Sequence, residues 1–163
     1  SLASALYGVS RATMDVDLVA GLRPEHAEPL AHSLTGQFYV DAQMIHEAIS
    51  LRRSFNVIHL ATMLKVDVFV SKASDYAQTQ LKRRVSREVG AGRQVFFASA
   101  EDIVLAKMEW YRMGGQVSDR QWNDILGVLR IQGQRLDRGY LGRWAAELGI
   151  SDLLARAFAD ADG

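Results

Sequence analysis

The sequence predicts an α+β fold on three observations. Two short segments, Asp15-Val16-Asp17-Leu18 and Leu64-Lys65-Val66-Asp67-Val68-Phe69-Val70, alternate apolar and charged residues with the period of a β-strand. From Ser99 onward, capping residues precede apolar residues at helical spacing four times over, at Ser99, Ser118, Asp137 and Ser151. Strands come first and helices after, in a chain of 163 residues that is long enough to bury a real core. The expectation is one domain, 1–163, with a sheet-containing core over 1–98 and a helical cap over 99–163.

Composition narrows the function classes. At 48% hydrophobic and 23% charged, the chain has the balance of a globular domain rather than a disordered or membrane-embedded one. No run of eighteen apolar residues and no signal peptide is found, which argues against a membrane partner. Lys plus Arg and Asp plus Glu are equal at 19 each, so bulk charge carries no general nucleic-acid signal. Cysteine is absent, which excludes disulfides and thiol chemistry and fits a cytoplasmic location.

Taken in order, Leu2 to Tyr7 reads as a short helix closed by Gly8. The chain starts abruptly on it without Met, so an upstream strand is expected to be missing. A strand over Arg11–Val19 follows, and Pro24 opens a helix through Leu30 and Leu34 to Gly36, with Pro29 inside it. Phe38-Tyr39-Val40 reads as a short strand, and Asp41 caps a helix through Ile45, Ala48 and Leu51. Phe55–Leu60 and Leu64–Val70 form a predicted hairpin. Ser74-Asp75 opens a helix through Leu81 and Val85, and Gln94–Ala98 is the last predicted strand. Beyond it lie the four capped helices, stopped at Gly114-Gly115 and Gly149 where glycine punctuates them. They carry all three Trp residues, whose helical spacing predicts core or helix–helix contacts rather than base-stacking platforms.

The chemistry gathers on the two alternating strands. Residues two apart on a strand share a face, so Asp15 and Asp17 point together while Val16 and Leu18 point to a core. Adjacent carboxylates repel unless a cation or water intervenes, and hard oxygen ligands favour Mg²⁺ or Mn²⁺. The same pattern puts Lys65, Asp67 and Phe69 opposite Leu64, Val66, Val68 and Val70. If the strands are neighbours, three carboxylates converge, as metal-assisted phosphoryl or nucleotidyl transfer requires. On the residues alone, Lys65 and Asp67 read equally as the exposed face of an antiparallel sheet.

Other charges carry two readings each. Lys82, Arg83, Arg84, Arg87 and Arg93 form a phosphate-facing patch or a solvated helix face. Lys107 reaches a triphosphate or snorkels at the surface. Arg120 and Asp124, at i, i+4, suit a surface ion pair worth about 0.3–0.5 kcal/mol. Arg11 is a phosphate contact or the partner of a nearby carboxylate.

Four segments in this order resemble the polymerase-β-like nucleotidyltransferase superfamily, in its small bacterial and archaeal branch with the AbiEii-type proteins. They are Tyr7-Gly8-Val9-Ser10-Arg11-Ala12-Thr13-Met14-Asp15-Val16-Asp17, Leu64-Lys65-Val66-Asp67-Val68-Phe69, Ala100-Glu101-Asp102-Ile103-Val104-Leu105-Ala106-Lys107 and Ser118-Asp119-Arg120-Gln121-Trp122-Asn123-Asp124-Ile125-Leu126. The resemblance covers nearly the whole chain. It implies a nucleotidyltransferase-like mixed sheet flanked by helices, with a helical C-terminal region. By the same resemblance Asp15 and Asp17 hold divalent metal, Mg²⁺ or Mn²⁺, and Asp67 completes the site and activates an acceptor hydroxyl. Lys65, Lys107 and Asp124 match polar positions lining the nucleotide cleft, and Arg11 is a phosphate contact.

The family also has a Gly-Ser or Gly-Gly turn that cradles the nucleotide phosphates, of which only Ser1 stands here. The expected function is transfer of a nucleoside monophosphate from an NTP to an acceptor of unknown kind. The alternative is a catalytically impaired nucleotide-binding or protein-interaction module, such as one half of a toxin–antitoxin-like pair.

Overall fold

The computed structural model describes Tyr7 and residues 15–162, apart from the Asp15 side chain. The predicted helix over Leu2–Tyr7 and the strand start before Asp15 lie outside the described residues, as do Ser1 and Arg11. The fold is α+β, a four-stranded mixed sheet with flanking helices and a helical C-terminal region. The described residues divide into two compact units, 15–78 in the first and 79–162 with Tyr7 in the second.

The first unit is built on strands β1 (Asp15–Ala20), β2 (Phe38–Tyr39), β3 (Ser54–His59) and β4 (Lys65–Val70), in the order β1-β4-β3-β2. β3 and β4 are the predicted antiparallel hairpin, and β1 runs parallel to β4. Helices α1 (Ala27–Leu34) and α2 (Ala42–Leu51) join β1 to β2 and β2 to β3. Pro24 opens a 3₁₀ turn over Pro24–His26 ahead of α1, so the predicted single helix is in two pieces. Pro29 falls in the first turn of α1, where a missing N–H leaves no intrahelical bond unmade. Asp41 caps α2, its Oδ1 accepting from the Gln43 and Met44 amides at 2.7 and 3.1 Å.

One sheet face supplies the core. Phe55 and Val57 of β3 and Val68 and Val70 of β4 pack on Ala27 and Ala31 of α1 and on Ile45, Ala48 and Ile49 of α2. Alternation therefore leaves Asp17, Lys65, Asp67 and Asn56 on the face turned away from α1 and α2.

The second unit takes the rest of helix α3 (Asp75–Arg83), within which the boundary falls. A two-stranded ribbon follows, β5 (Val85–Val89) paired antiparallel with β6 (Arg93–Phe97). The helix predicted to run through Val85 thus stops at Arg83, and Arg87 lies on a strand. Leu81 and Val85 mimic helical spacing, but Val85, Arg87 and Val89 recur at the strand period of two on one face, and a Gly90-Ala91-Gly92 turn follows. Gly90 and Gly92 have φ of 61° and 75°, a left-handed backbone that glycine adopts without a Cβ clash.

Helices α4 (Ala100–Met113), α5 (Asp119–Gln132), α6 (Arg138–Glu147) and α7 (Ser151–Asp162) complete the unit. Ser99, Ser118 and Asp137 cap the first three as the sequence predicts, each accepting a bond from a first-turn amide. Trp144 is buried, and Trp122 packs beside Tyr111 while donating from Nε1 to Asp160 at 3.0 Å. Trp110 is outside the core, with 46% of its surface exposed.

Candidate functional site

The parallel pairing of β1 with β4 sets the geometry on the polar face of the first unit. Asp17 is the register partner of Asp67, and Asp67 is in turn paired with Asn56 on β3. Hydrogen-bonded strands lie about 4.8 Å apart, so Asp17, Asp67 and Asn56 form one polar row across three strands. Asp15 sits two residues before Asp17, its backbone registered with Lys65. Its side chain lies outside the described residues.

The row contains an ion pair. The Lys65 ammonium lies 2.9 Å from Oδ2 of Asp67, and the two side chains are 45% and 23% exposed. Asp17 is exposed. Lys65 and Asp67, two apart on one strand, neutralise each other, and Asp17 is their neighbour on β1. Among the described residues no three His, Cys, Asp or Glu side chains form a metal-holding group. Asp17 and Asp67 alone supply the one or two carboxylates with which Mg²⁺ is ordinarily held when substrate phosphates and water complete its shell.

Lys107 and Asp124 belong to the second unit, where they bind each other. Lys107 of α4 donates to Oδ2 of Asp124 on α5 at 2.8 Å, with side chains only 17% and 15% exposed. The ion pair of Asp124 is therefore an interhelical one with Lys107, in place of the surface pair expected with Arg120. Sheltered as it is, this pair clamps α4 to α5. Removing one partner would strand a charge in a poorly solvated place.

A second polar cluster in the same unit was not visible as such in the sequence. Asp102 is fully buried on the first turn of α4. Its Oδ1 accepts from the Tyr140 hydroxyl at 2.7 Å, and its Oδ2 from Ser99 Oγ at 2.8 Å. Glu101 beside it accepts from the Asp137 amide at 3.0 Å and from Arg83 at 3.2 Å. The Arg83 guanidinium in turn lies over the Tyr140 ring, 3.9 Å from its centroid.

Burial raises the Asp102 carboxyl above its ordinary range despite the Tyr140 and Ser99 hydrogen bonds. Burial pushes Glu101 the same way, but the Asp137 amide hydrogen bond and Arg83 outweigh it and hold its pKa low. Burial and the bond to Asp102 raise the Tyr140 phenol. These groups tie α3, α4 and α6 together. In sequence, Glu101 and Asp102 read only as acidic first-turn residues that suit a helix dipole.

Compared with protein-family models and with curated proteins, the chain matches none. Among the described residues no helix is long and apolar enough to cross a membrane.

Proposed function

We propose that the chain is a metal-dependent nucleotidyltransferase of the polymerase-β-like kind, acting in the cytoplasm and moving a nucleoside monophosphate from an NTP to an acceptor hydroxyl. One observation carries this reading. The in-register pairing of β1 with β4 puts Asp17 beside Asp67 on the sheet face away from α1 and α2. Asp15 precedes Asp17 on β1 and completes the acidic set in this reading. Two carboxylates side by side, with hard oxygen donors only, suit Mg²⁺ or Mn²⁺. Such an ion would neutralise and orient the phosphates for in-line transfer.

The residues divide the remaining work. Asp17 and Asp15 would hold the metal. Asp67 would share it and accept the proton of the acceptor hydroxyl as that oxygen bonds to the α-phosphorus and pyrophosphate leaves. Lys65 shields Asp67 while no nucleotide is bound, and its flexible, half-exposed stem lets the ammonium turn to a phosphate oxygen. The assignment rests on the sheet of the first unit alone. Lys107 and Asp124 enter it only as an ion pair of the second.

Calorimetric titration of each NTP with and without Mg²⁺ tests the reading, followed by transfer assays with labelled nucleotide. We expect Mg²⁺-dependent binding of at least one NTP, lost in Asp17→Asn/Asp67→Asn while the far-ultraviolet circular dichroism stays unchanged. Equal affinity in that double variant would overturn the metal assignment. Binding that needs no Mg²⁺ and leads to no transfer would support the second reading, a nucleotide-binding or protein-interaction module with a partner protein. The observation favouring that reading is the internal counter-ion that Asp67 already has in Lys65.

A further inference from the structure

The β5–β6 ribbon is exposed on both faces from Ser86 to Phe96. A two-stranded hairpin is marginal in water, and this one spends its side chains on charge and aromatic surface rather than on a core. Residues 82–97 hold five basic residues against one carboxylate, Glu88, in a chain whose total charge is zero. One of the five, Arg83, is held by Glu101. Among the described residues no carboxylate lies in ion-pair contact with Arg84, Arg87 or Arg93.

The register distributes these charges over the ribbon. Arg87 is paired with Val95 and Val89 with Arg93, so the two arginines sit diagonally on one face, with about 7–8 Å between their positions. Ser86 is paired with Phe96 on the other face, where Ser86 Oγ also donates to Gln94 Oε1 at 2.7 Å. There the Arg84 guanidinium lies 4.6 Å from the Phe96 ring centroid, and the Phe96 residue is 58% exposed. Cations on both faces, with an exposed ring beside one of them, match the two things a single strand offers, a phosphate backbone and unpaired base faces.

We propose that the β5–β6 ribbon docks a single-stranded nucleic acid, with Arg84, Arg87 and Arg93 on its phosphates and Phe96 under a base. Charge complementarity selects this occupant over an apolar partner. The exposed ring selects a single strand over a duplex, whose base faces are stacked away. The surface stands independently of the transfer chemistry proposed for the sheet.

Fluorescence anisotropy with labelled 20-nucleotide single strands of RNA and DNA, the matching duplexes and a poly-glutamate peptide tests it on the full chain. We expect salt-dependent single-strand binding that Arg84→Ala/Arg87→Ala/Arg93→Ala weakens by about tenfold or more at 0.1 M salt. The slope of log K against log salt should fall by about 2, at roughly 0.7 for each phosphate contact on a single strand. Phe96→Ala should cost about fivefold with the slope kept. The triple Arg→Lys variant should retain most of the binding, and a thermal melt checks that every variant folds. Four results would overturn the proposal: no binding to any strand, unchanged binding by the triple alanine variant, equal affinity for duplex, or preference for the acidic peptide.

Discussion

Buried carboxylates in the second unit act on stability with opposite signs. Asp102 has its pKa raised above 3.8 by burial, so its contribution to folding is full below that value and fades as pH rises through the raised one. Glu101 has its pKa held below 4.5 against the pull of burial, so its contribution is present above 4.5 and is lost as pH falls through the lowered value. Denaturation of Glu101→Gln across pH should show a deficit of about 1–2 kcal/mol at neutral pH, shrinking in acid as wild type loses the same charge. Asp102→Asn should do the reverse and flatten the loss of stability as pH rises above 3.8. Asp102→Ala leaves the Tyr140 hydroxyl without its acceptor and should cost about 1–3 kcal/mol in urea unfolding. None of this was legible in the sequence. A first-turn acid on a helix reads the same whether water or a tyrosine faces it.

Elements were legible where pattern and caps agreed. Asp41 followed by apolar residues at helical spacing marked α2, and its bonds to the Gln43 and Met44 amides are the physical content of that signal. Asp41→Ala should destabilise the first unit by about 1 kcal/mol, read as a lower midpoint in thermal or urea unfolding. β5 was illegible because Val85 serves two periods, four residues after Leu81 for a helix and two before Arg87 for a strand. The turn decides between them. Replacing Gly90 or Gly92 with Ala places a Cβ on a left-handed backbone at about 1–2 kcal/mol, and circular dichroism or proteolysis at the ribbon should report its loosening.

At the scale of the molecule, the candidate site was half written in the sequence. Alternation put Lys65 and Asp67 on one face of their strand and Asp17 on the polar face of another, and the structure brings the two strands together. Their adjacency was not written there, because parallel neighbours are joined by everything folded between them rather than by a turn. The Lys107–Asp124 pair was hidden for the same reason, since each residue shows only its own helix. The core that positions the sheet is ordinary in its energetics. Ile45→Ala, at a fully buried site between α2 and the sheet, should cost about 2–5 kcal/mol and disturb the Asp17–Asp67 alignment along with the fold.

The parallel pairing also imposes an order in time. β3 and β4 meet across a tight hairpin, whereas β1 reaches β4 only after the chain has closed a loop from residue 15 to residue 65. Among the described residues β1 is moreover an edge strand, paired with β4 alone, with Leu18 and Val19 about half exposed. Its amides should therefore exchange hydrogen with solvent sooner than those of β3, and β1 should dock late during refolding. The acidic row would then be among the last features assembled and the first to part, and a ligand bridging Asp17 and Asp67 would slow the exchange of β1 before that of any other strand.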